Sequence, residues 1–304
     1  MKQLKSILLS MALCLIAASA SAFDAKSKPV QVIMPFAPGG GVDQTFRHLQ
    51  KYAAAKNITL VGIYKPGGEG VVAMNELNSA PKDGYTVSVT TVPVIAFNRA
   101  KNPSADIIAV TGIRDTIFSL VTSTKSNIKT IDELERAIRD GDKIALGVGA
   151  PGQKLFLEQF VEFTKTKIEP LYVPYKGGGP VINDLVAGHI DVAAVPYSIS
   201  KSQINAGKIN LLALGTKEKL QGVTVTSIEN RYPSWQHYDG FAFVLAQGTD
   251  QQAIKWWSDF LKEYLADPQV RADFIAEDTV VTEFGTKKLE KTVTAVIARL
   301  QKEK

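Results

Sequence analysis

Glycine-rich turns are the parts of this chain best suited to chemistry. The first turn, Pro35–Gly41, follows Val30–Met34, an apolar run that predicts a buried strand stopped by prolines. Gly39–Gly41 lets the backbone adopt angles closed to other residues, so bare N–H groups can approach a ligand. A helical pattern follows from Thr45, and the free N–H groups at a helix start attract a carboxylate or other small anion. A plain connection between strand and helix fits this stretch equally well.

Two later turns repeat the order of strand, glycine turn and helix. The predicted strand Ile144–Val148 leads into Gly149–Gln153 and then into a helix over Lys154–Thr164. The predicted strand Leu171–Tyr175 leads into Lys176–Pro180 and then into another helix. Each turn adds a group of backbone N–H donors suited to a small anion. Together they favour a ligand site over three unrelated connections.

The second turn also matches a dinucleotide-binding pattern. Gly147, Gly149 and Gly152 have the spacing G-x-G-x-x-G between a strand and a helix. Pro151 occupies the turn, however, and the only acidic residue near the required spacing is Glu169. A lone match of this kind is weak. We therefore predict no nucleotide and no other cofactor.

Titratable side chains near the turns suggest anchoring more than catalysis. Asp43 either anchors the first turn, meets a donor group of the ligand, or complements the dipole of the helix that follows. Asp191 lies between a turn and a buried strand, and we favour a structural role for it. The histidines are scattered without metal-ligand spacing, at positions 48, 189 and 237. The sequence lacks G-x-S-x-G and H-E-x-x-H, so we predict no catalytic residue and no metal site.

The alternation of strands and helices predicts an α/β fold with mainly parallel sheets flanked by helices. Such sheets bind ligands at the carboxyl ends of their strands. The predicted strand Tyr85–Thr91 ends in Thr90 and Thr91, which would share a crevice with Gly39–Gly41. A second unit follows, and Trp235–Leu245 would return to the first. The expected lobes are 23–122 plus 239–304, and 123–238.

The first 22 residues have the pattern of a cleaved leader. Lys2 and Lys5 precede the short apolar run Ile7–Ala18, and Ala20–Ala22 gives a small-residue cleavage pattern. Cys14, the only cysteine, leaves with this segment, so the mature chain has no disulfide or thiolate site. We therefore predict export to a bacterial periplasm after cleavage near Ala22.

The charge of the chain is mildly basic. The net charge is +5, and removal of the leader leaves 33 basic against 30 acidic residues. The sequence has no run of lysine and arginine of the kind that binds nucleic acid. We predict no nucleic-acid partner, and the small positive excess is compatible with an anionic ligand.

Five segments in order resemble one known family. They are Val32–Asp43 (VIMPFAPGGGVD), Lys65–Val72 (KPGGEGVV), Asp83–Thr86 (DGYT), Val173–Pro180 (VPYKGGGP) and Gly188–Val192 (GHIDV). This set is similar to the Bug-type or TctC receptors, the extracytoplasmic solute receptors of tripartite tricarboxylate transporters. The resemblance spans essentially the whole mature chain.

The resemblance implies a two-domain clamshell, like other periplasmic binding proteins, that holds a carboxylate ligand between its lobes through backbone groups and ordered waters. It also implies membrane transporter subunits as partners, and we expect a monomer. The ligand-binding residues implied are Phe36, Ala37, Gly40, Gly41, Asp43, Thr90, Thr91, Ala150, Gly152, Gln153, Tyr175, Gly177 and Gly178.

The chain departs from the family pattern in three places. Gly149–Gln153 is shorter than the family's G-S-S-G-x-G-S run and lacks its serines. Ala193–Pro196 carries no acid or amide where some members hold the distal group of the ligand. Leu245–Asp250 replaces the usual P-A-G-T-P. These changes leave the receptor role intact but do not identify the ligand.

Two other functions stay open at this point. One is an exported α/β enzyme that acts on a small anionic substrate, with Asp43 or Asp191 as acid or base. The other is a ligand sensor for a membrane signalling partner. Turnover that is lost in Asp43→Asn with binding retained would favour the enzyme.

Overall fold

The computed structural model describes residues 23–101, 107–166, 170–217, 220, 222–236, 239–277 and 286–302. The predicted leader and His237 therefore lie outside the described residues. Across the ranges described, no helix combines the length and the apolar character needed to cross a membrane.

Strands and helices alternate along most of the chain. The strands are β1 (Val30–Met34), β2 (Leu60–Tyr64), β3 (Thr86–Thr91), β4 (Ile107–Asp115), β5 (Phe118–Ser123), β6 (Ala145–Val148), β7 (Leu171–Pro174), β8 (Val192–Pro196), β9 (Ile209–Leu214), β10 (Thr226–Ser227) and β11 (Gly240–Ala246). The helices are α1 (Gly41–Ala55), α2 (Val71–Ser79), α3 (Val92–Lys101), α4 (Ile131–Asp140), α5 (Pro151–Thr164), α6 (Gly178–Ala187), α7 (Tyr197–Asn205), α8 (Ile228–Arg231), α9 (Gln251–Ala266), α10 (Pro268–Ala276) and α11 (Thr286–Lys302).

The strands form two sheets, in the orders β2-β1-β3-β11-β4 and β10-β9-β5-β8-β6-β7. Pairs that include neither β5 nor β11 are parallel. β11 runs antiparallel to β3 and β4, and β5 runs antiparallel to β8 and β9. The predicted α/β fold with two lobes and mainly parallel sheets is confirmed.

The chain passes between the sheets where these antiparallel strands lie. It leaves the first sheet between Asp115 and Phe118, and it returns between Ser227 and Gly240. β5 pairs in the second sheet, although the expected first lobe runs to residue 122. The connection from β4 to β5 is only two residues long, so the two sheets are held close together at this point.

The core of the first sheet lies on β11 and α9. All seven residues of β11 are buried, because the strand lies in the interior of its sheet between β3 and β4. Trp257 is fully buried, and its Nε1–H donates to the carbonyl oxygen of Gly84 over 2.9 Å. Trp256 stacks on Phe260. Both of these adjacent tryptophans therefore pack in or against the core of the first sheet.

Helix α4 begins and ends where its sequence predicts. The Oγ1 of Thr130 accepts from the Glu133 N–H over 3.2 Å, and the Glu133 carboxylate accepts from the Thr130 N–H over 2.9 Å. This is a capping box, which satisfies two otherwise free donors. Gly141 ends the helix in the left-handed region at φ +83°.

The sequence did not predict helices α3, α7, α8 and α10. The residues Val92–Ala96 of α3 are all buried, so this segment lacks the amphipathic period that marks a surface helix. The start of α10 had a local signal, because Asp267 accepts from the Gln269 and Val270 N–H groups ahead of Pro268 at the first position. Helix α3 matters for function because it begins directly after Thr91.

Candidate functional site

The first and third glycine turns meet across the two lobes. The Ala37 N–H donates to the carbonyl oxygen of Lys176 over 2.7 Å, which joins the lobes by a backbone hydrogen bond. A Cβ on Gly179 would lie only 2.8 Å from the carbonyl oxygen of Pro38, so the backbones approach as closely as glycine allows. We call this contact region the interlobe seam, formed by Pro38–Gly41, Gly149–Gln153 and Gly177–Gly179.

The second turn also reaches the seam. A Cβ on Gly149 would lie 2.3 Å from the carbonyl oxygen of Gly177. The Gln153 side chain is buried, and its Oε1 accepts from the Gly149 N–H over 2.8 Å. This bond turns Nε2 of the same amide toward Gly178, where a Cβ would lie 3.0 Å away. The shortened loop therefore supplies an amide donor in place of serine hydroxyls.

Four helices begin at or beside the seam. Helices α1, α5 and α6 start at Gly41, Pro151 and Gly178, and none has a side-chain cap, because their N-cap residues are glycine or alanine. Helix α3 begins beside α5, since a Cβ on Gly152 would lie 3.3 Å from Cγ of Pro93. First-turn N–H groups without a capping side chain attract anions, and each helix adds a partial positive charge.

Two hydroxyl groups lie buried at the end of β3. Thr90 and Thr91 are almost fully shielded from solvent, and neither Oγ1 has a hydrogen-bond partner among the described residues. Thr91 pairs with Phe241 across the sheet, and the Phe241 ring packs against Gly41 of the seam. Buried polar groups are normally satisfied, so these hydroxyls are available to a ligand or to water.

Asp43 anchors the first turn. Its Oδ2 accepts from the Gly39 N–H over 2.9 Å and from Arg47 Nε over 3.1 Å, and its Oδ1 accepts from the Tyr64 hydroxyl over 2.6 Å. Burial acts to raise the pKa of Asp43, but these hydrogen bonds and the Arg47 charge outweigh burial and hold that pKa below its ordinary value. Both carboxylate oxygens are therefore used in holding the turn.

The Tyr175 side chain is held by α6. The hydroxyl donates to Asp184 Oδ2 over 2.7 Å, while the Tyr175 N–H donates to the carbonyl oxygen of Val148. Burial and the Asp184 carboxylate raise the pKa of Tyr175 to about 12. The side chain thus stays a neutral phenol that fixes the third turn, and its ring faces the neighbouring cleft.

A cleft of about 520 Å³ lies beside the seam and is lined by both lobes. The predicted residues Phe36, Ala150 and Tyr175 line this cleft. The other predicted residues are part of the seam or of the elements packed on it. Residues that line the cleft without having been predicted as ligand-binding are Gly67, Gly68, Glu69, Gly70, Val148, Gly149, Pro151, Lys154, Tyr172, Pro174 and Lys176.

Some of these residues had a sequence signal. Gly67–Gly70 lies in the second family-like segment, Lys65–Val72, but was not predicted as part of the site. Glu69 there adopts φ +56°, a left-handed angle that is strained for any residue other than glycine. Lys154 follows a glycine turn on the first turn of α5. Its place in the cleft depends on how the lobes meet, which the sequence does not show.

Arg114 is a further residue that the sequence did not reveal. It is fully buried on β4 with its guanidinium between the rings of Phe241 and Phe274. Its Nη2 donates to the carbonyl oxygen of Gly41 and its Nε to Thr45 Oγ1. An ion pair with Glu277, 3.2 Å long, compensates the buried charge. Arg114 on β4 therefore fixes the start of α1 through hydrogen bonds to its first turns.

Asp239 lies where the chain returns to the first lobe. It is buried, and one carboxylate oxygen accepts from the Gly240 N–H over 2.7 Å. Its other oxygen would be 2.1 Å from a Cβ on Gly152, so the carboxyl group presses against the first turn of α5. Burial raises the pKa of Asp239 to about 7, and the nearby Asp115 charge adds to this increase.

The remaining candidate residues have structural roles. Asp191 accepts from the Ala145 N–H over 2.9 Å, which confirms its predicted loop-fixing role. His48 contacts Glu277 at 2.6 Å, and His189 lies on the surface 3.5 Å from Asp184. No group of three histidine, cysteine or acidic side chains within the described ranges could hold a metal ion.

The glycines of the dinucleotide pattern are packed against protein atoms. Cβ atoms on Gly147, Gly149 and Gly152 would contact Ile190, Gly177 and Asp239 at 2.3 Å or less. These glycines therefore serve close packing within the protein.

Comparison with known proteins agrees with this geometry. The family model for the tripartite tricarboxylate transporter family receptor, TctC, matches residues 45–302. The chain belongs to the TctC receptor family. The protein BugT of Bordetella pertussis is 27% identical to this TctC receptor over 277 residues, which cover 86% of this chain and 84% of BugT.

Two solved structures share the fold of this TctC receptor. Rpa4515 of R. palustris, solved with adipate, has a TM-score of 0.82 and 23% identity over 92% of this chain and 97% of its own. MatC of Rhodopseudomonas palustris, solved with bound malate, has a TM-score of 0.78 and 19% identity over 89% of this chain and 97% of its own. Membership in the family makes this chain a solute-binding receptor, and the enzyme alternative is not favoured.

Proposed function

We propose that this protein is a periplasmic receptor that binds a small carboxylate between its lobes and delivers it to membrane transporter subunits. One observation supports this proposal most strongly. The N-termini of α1, α5 and α6, which have no side-chain cap, meet at the seam, and α3 begins beside them. The buried hydroxyls of Thr90 and Thr91 at the end of β3 have no hydrogen-bond partner among the described residues. Such an arrangement stabilises negative charge without any lysine or arginine in direct contact.

The proposed binding set consists of backbone and neutral side-chain donors. N–H groups of the first and third turns lie on opposite lobes, and the buried Thr91 hydroxyl at the end of β3 lies on the strand that pairs with Phe241, whose ring packs against Gly41. The Gln153 amide adds a donor from the second turn. Ordered water can bridge such donors to a carboxylate almost as favourably as direct contact does. Asp43 acts in this scheme by holding the turn in shape.

Lobe closure is the proposed mechanical step. Residues 23–115 and 240–302 form the proposed first lobe, and residues 118–236 form most of the second. The two chain crossings are the proposed hinge. A ligand that contacts both lobes favours the closed form by its extra affinity for that form. The transporter subunits would then distinguish the closed receptor from the open one.

Relatives support a carboxylate as the ligand class. Rpa4515 was solved with adipate and MatC with bound malate, and both have the two-lobe fold seen here. Both ligands carry carboxylates, which suit the helix starts at the seam.

A melting experiment tests this proposal. A panel of mono-, di- and tricarboxylates is added to the purified mature chain, and the free energy of unfolding is expected to rise by about 2.7 kcal/mol at 100-fold excess over Kd. Thr91→Val removes one hydroxyl while preserving side-chain shape, so it should weaken the response to the best ligand. A panel without any shift, or equal shifts for the matching neutral amides, would refute carboxylate binding.

A further inference from the structure

The cleft beside the seam is largely apolar. Phe36 lines it from the first lobe, and Tyr172, Pro174 and Tyr175 line it from the second. Pockets of this type bury the apolar part of a ligand, while a few polar groups determine its orientation. A carboxylate held at the seam would therefore extend its apolar body into this cleft.

Lys154 is the cation of α5 that lines this cleft. It belongs to the first turn of α5, two residues after Gly152 of the seam. Its ammonium group lies 3.6 Å from Glu158, one turn further along the same helix, and the side chain is 41% exposed. A half-exposed pair of this length contributes little to stability. The lysine can therefore leave Glu158 for a ligand anion at small cost.

Two other charged residues, Glu69 and Lys176, also line the cleft. Glu69 faces the cleft from the first lobe and pairs with Lys101 at 3.5 Å. Lys176 is exposed and lies in the third turn, two residues before α6 begins. Lys154 differs from both because it lies on the helix whose start is part of the seam.

We propose that Lys154 determines specificity by pairing with a second anionic group of the ligand. The receptor then selects di-acids with an apolar middle over mono-acids with the same carbon skeleton. This inference rests on the proposed function, because the first carboxylate must occupy the seam for the second to meet Lys154.

The test uses pairs of acids that differ by one carboxylate, with calorimetric titration of the mature chain. The pairs are adipate with hexanoate and terephthalate with benzoate. In the wild-type protein, the better di-acid should bind at least about tenfold more tightly than its mono-acid partner. Lys154→Gln should remove most of that preference by weakening the di-acid alone, and Lys154→Arg should retain it.

Lys255→Gln is the matched control. Lys255 also pairs with an acid four residues later on an exposed helix face, Asp259 at 2.6 Å, but it lies on α9 outside the cleft lining. This variant should leave both affinities unchanged, and melting curves of all variants show whether they fold.

The outcomes separate the two proposals. If mono-acids bind but neither di-acid is preferred, or if Lys154→Gln weakens both members of a pair equally, the role of Lys154 is refuted and the receptor function stands. If no acid binds to the wild-type protein, both proposals fall.

Discussion

At the scale of single residues, Asp43 shows how one side chain can be assigned a role only from its three-dimensional partners. The sequence left it as a loop anchor, a ligand contact or a helix-dipole partner. Gly39 and Arg47 are four residues away on either side, so their contacts were accessible from spacing. The contact with Tyr64 could not be predicted from spacing, because Tyr64 lies at the end of β2, 21 residues away in the sequence. With all three bonds formed, Asp43 is a loop anchor.

Asp43→Asn should destabilise the fold at neutral pH by about 1–3 kcal/mol, because an amide cannot accept all three charge-assisted bonds. The measurement is urea unfolding followed by circular dichroism. Arg47→Gln is the control, since Arg47 is mostly exposed and its pair with Asp43 should be worth less than about 1 kcal/mol. Equal effects of the two variants would contradict the anchoring role.

The same carboxylate should make stability depend on acid pH. Its pKa in the folded state is lower than in the unfolded state, so its contribution is complete above the ordinary aspartate pKa of about 4. The contribution is lost as pH falls through the lower folded value. The difference between wild type and Asp43→Asn should therefore shrink in that acid range, and a difference that stays constant there would contradict the pKa shift.

At the scale of elements, the sequence predicted local features well and their assembly poorly. β1, the capping box of α4 and the three glycine turns were predictable, because prolines, glycines and capping residues act over a few positions. α3 was missed because burial on all sides erases its periodicity. The meeting of helix starts at the seam depends on lobe packing, which local patterns do not encode. Only the family resemblance placed the second and third turns opposite the first.

Gly179→Ala tests the close approach of the turns. Its Cβ would lie 2.8 Å from the Pro38 carbonyl, so the seam cannot close fully. Ligand affinity measured by calorimetry should fall about tenfold or more, while each lobe keeps its fold. Gly207→Ala is the comparison, because φ +65° there strains alanine by roughly 1–2 kcal/mol but nothing lies within 4 Å. It should lower stability and leave affinity unchanged. If Gly207→Ala lowered the ligand affinity and Gly179→Ala left it unchanged, the seam would be refuted as the binding contact.

At the scale of the whole molecule, two lobes joined by two crossings make closure possible, and Asp239 lies at one crossing. Its carboxyl group is buried against α5 of the other lobe. No sequence pattern marks this position, because Asp239 is an ordinary loop residue until the lobes meet. Ionisation of a group buried between lobes should weaken their contact.

Asp239→Asn should stabilise the protein above about pH 7. The folded pKa of Asp239, about 7, exceeds the ordinary value of about 4, so the wild type loses stability as pH rises through this window. Compared with wild type, the variant should be more stable by about 2–4 kcal/mol at pH values above about 7, and the two proteins should be equally stable near about pH 4. Urea midpoints across this range measure the difference, with the exposed Asp259→Asn as control. A difference independent of pH would contradict the prediction.

The most direct test of the central claim is native mass spectrometry of the protein purified from the cells that make it. The closed seam predicts a complex with one small organic acid, released on denaturation and reduced in Gly179→Ala. Identification of the released mass as a carboxylate would support the account. A ligand-free protein that also fails to bind any added acid, or one that carries a neutral molecule, would contradict it.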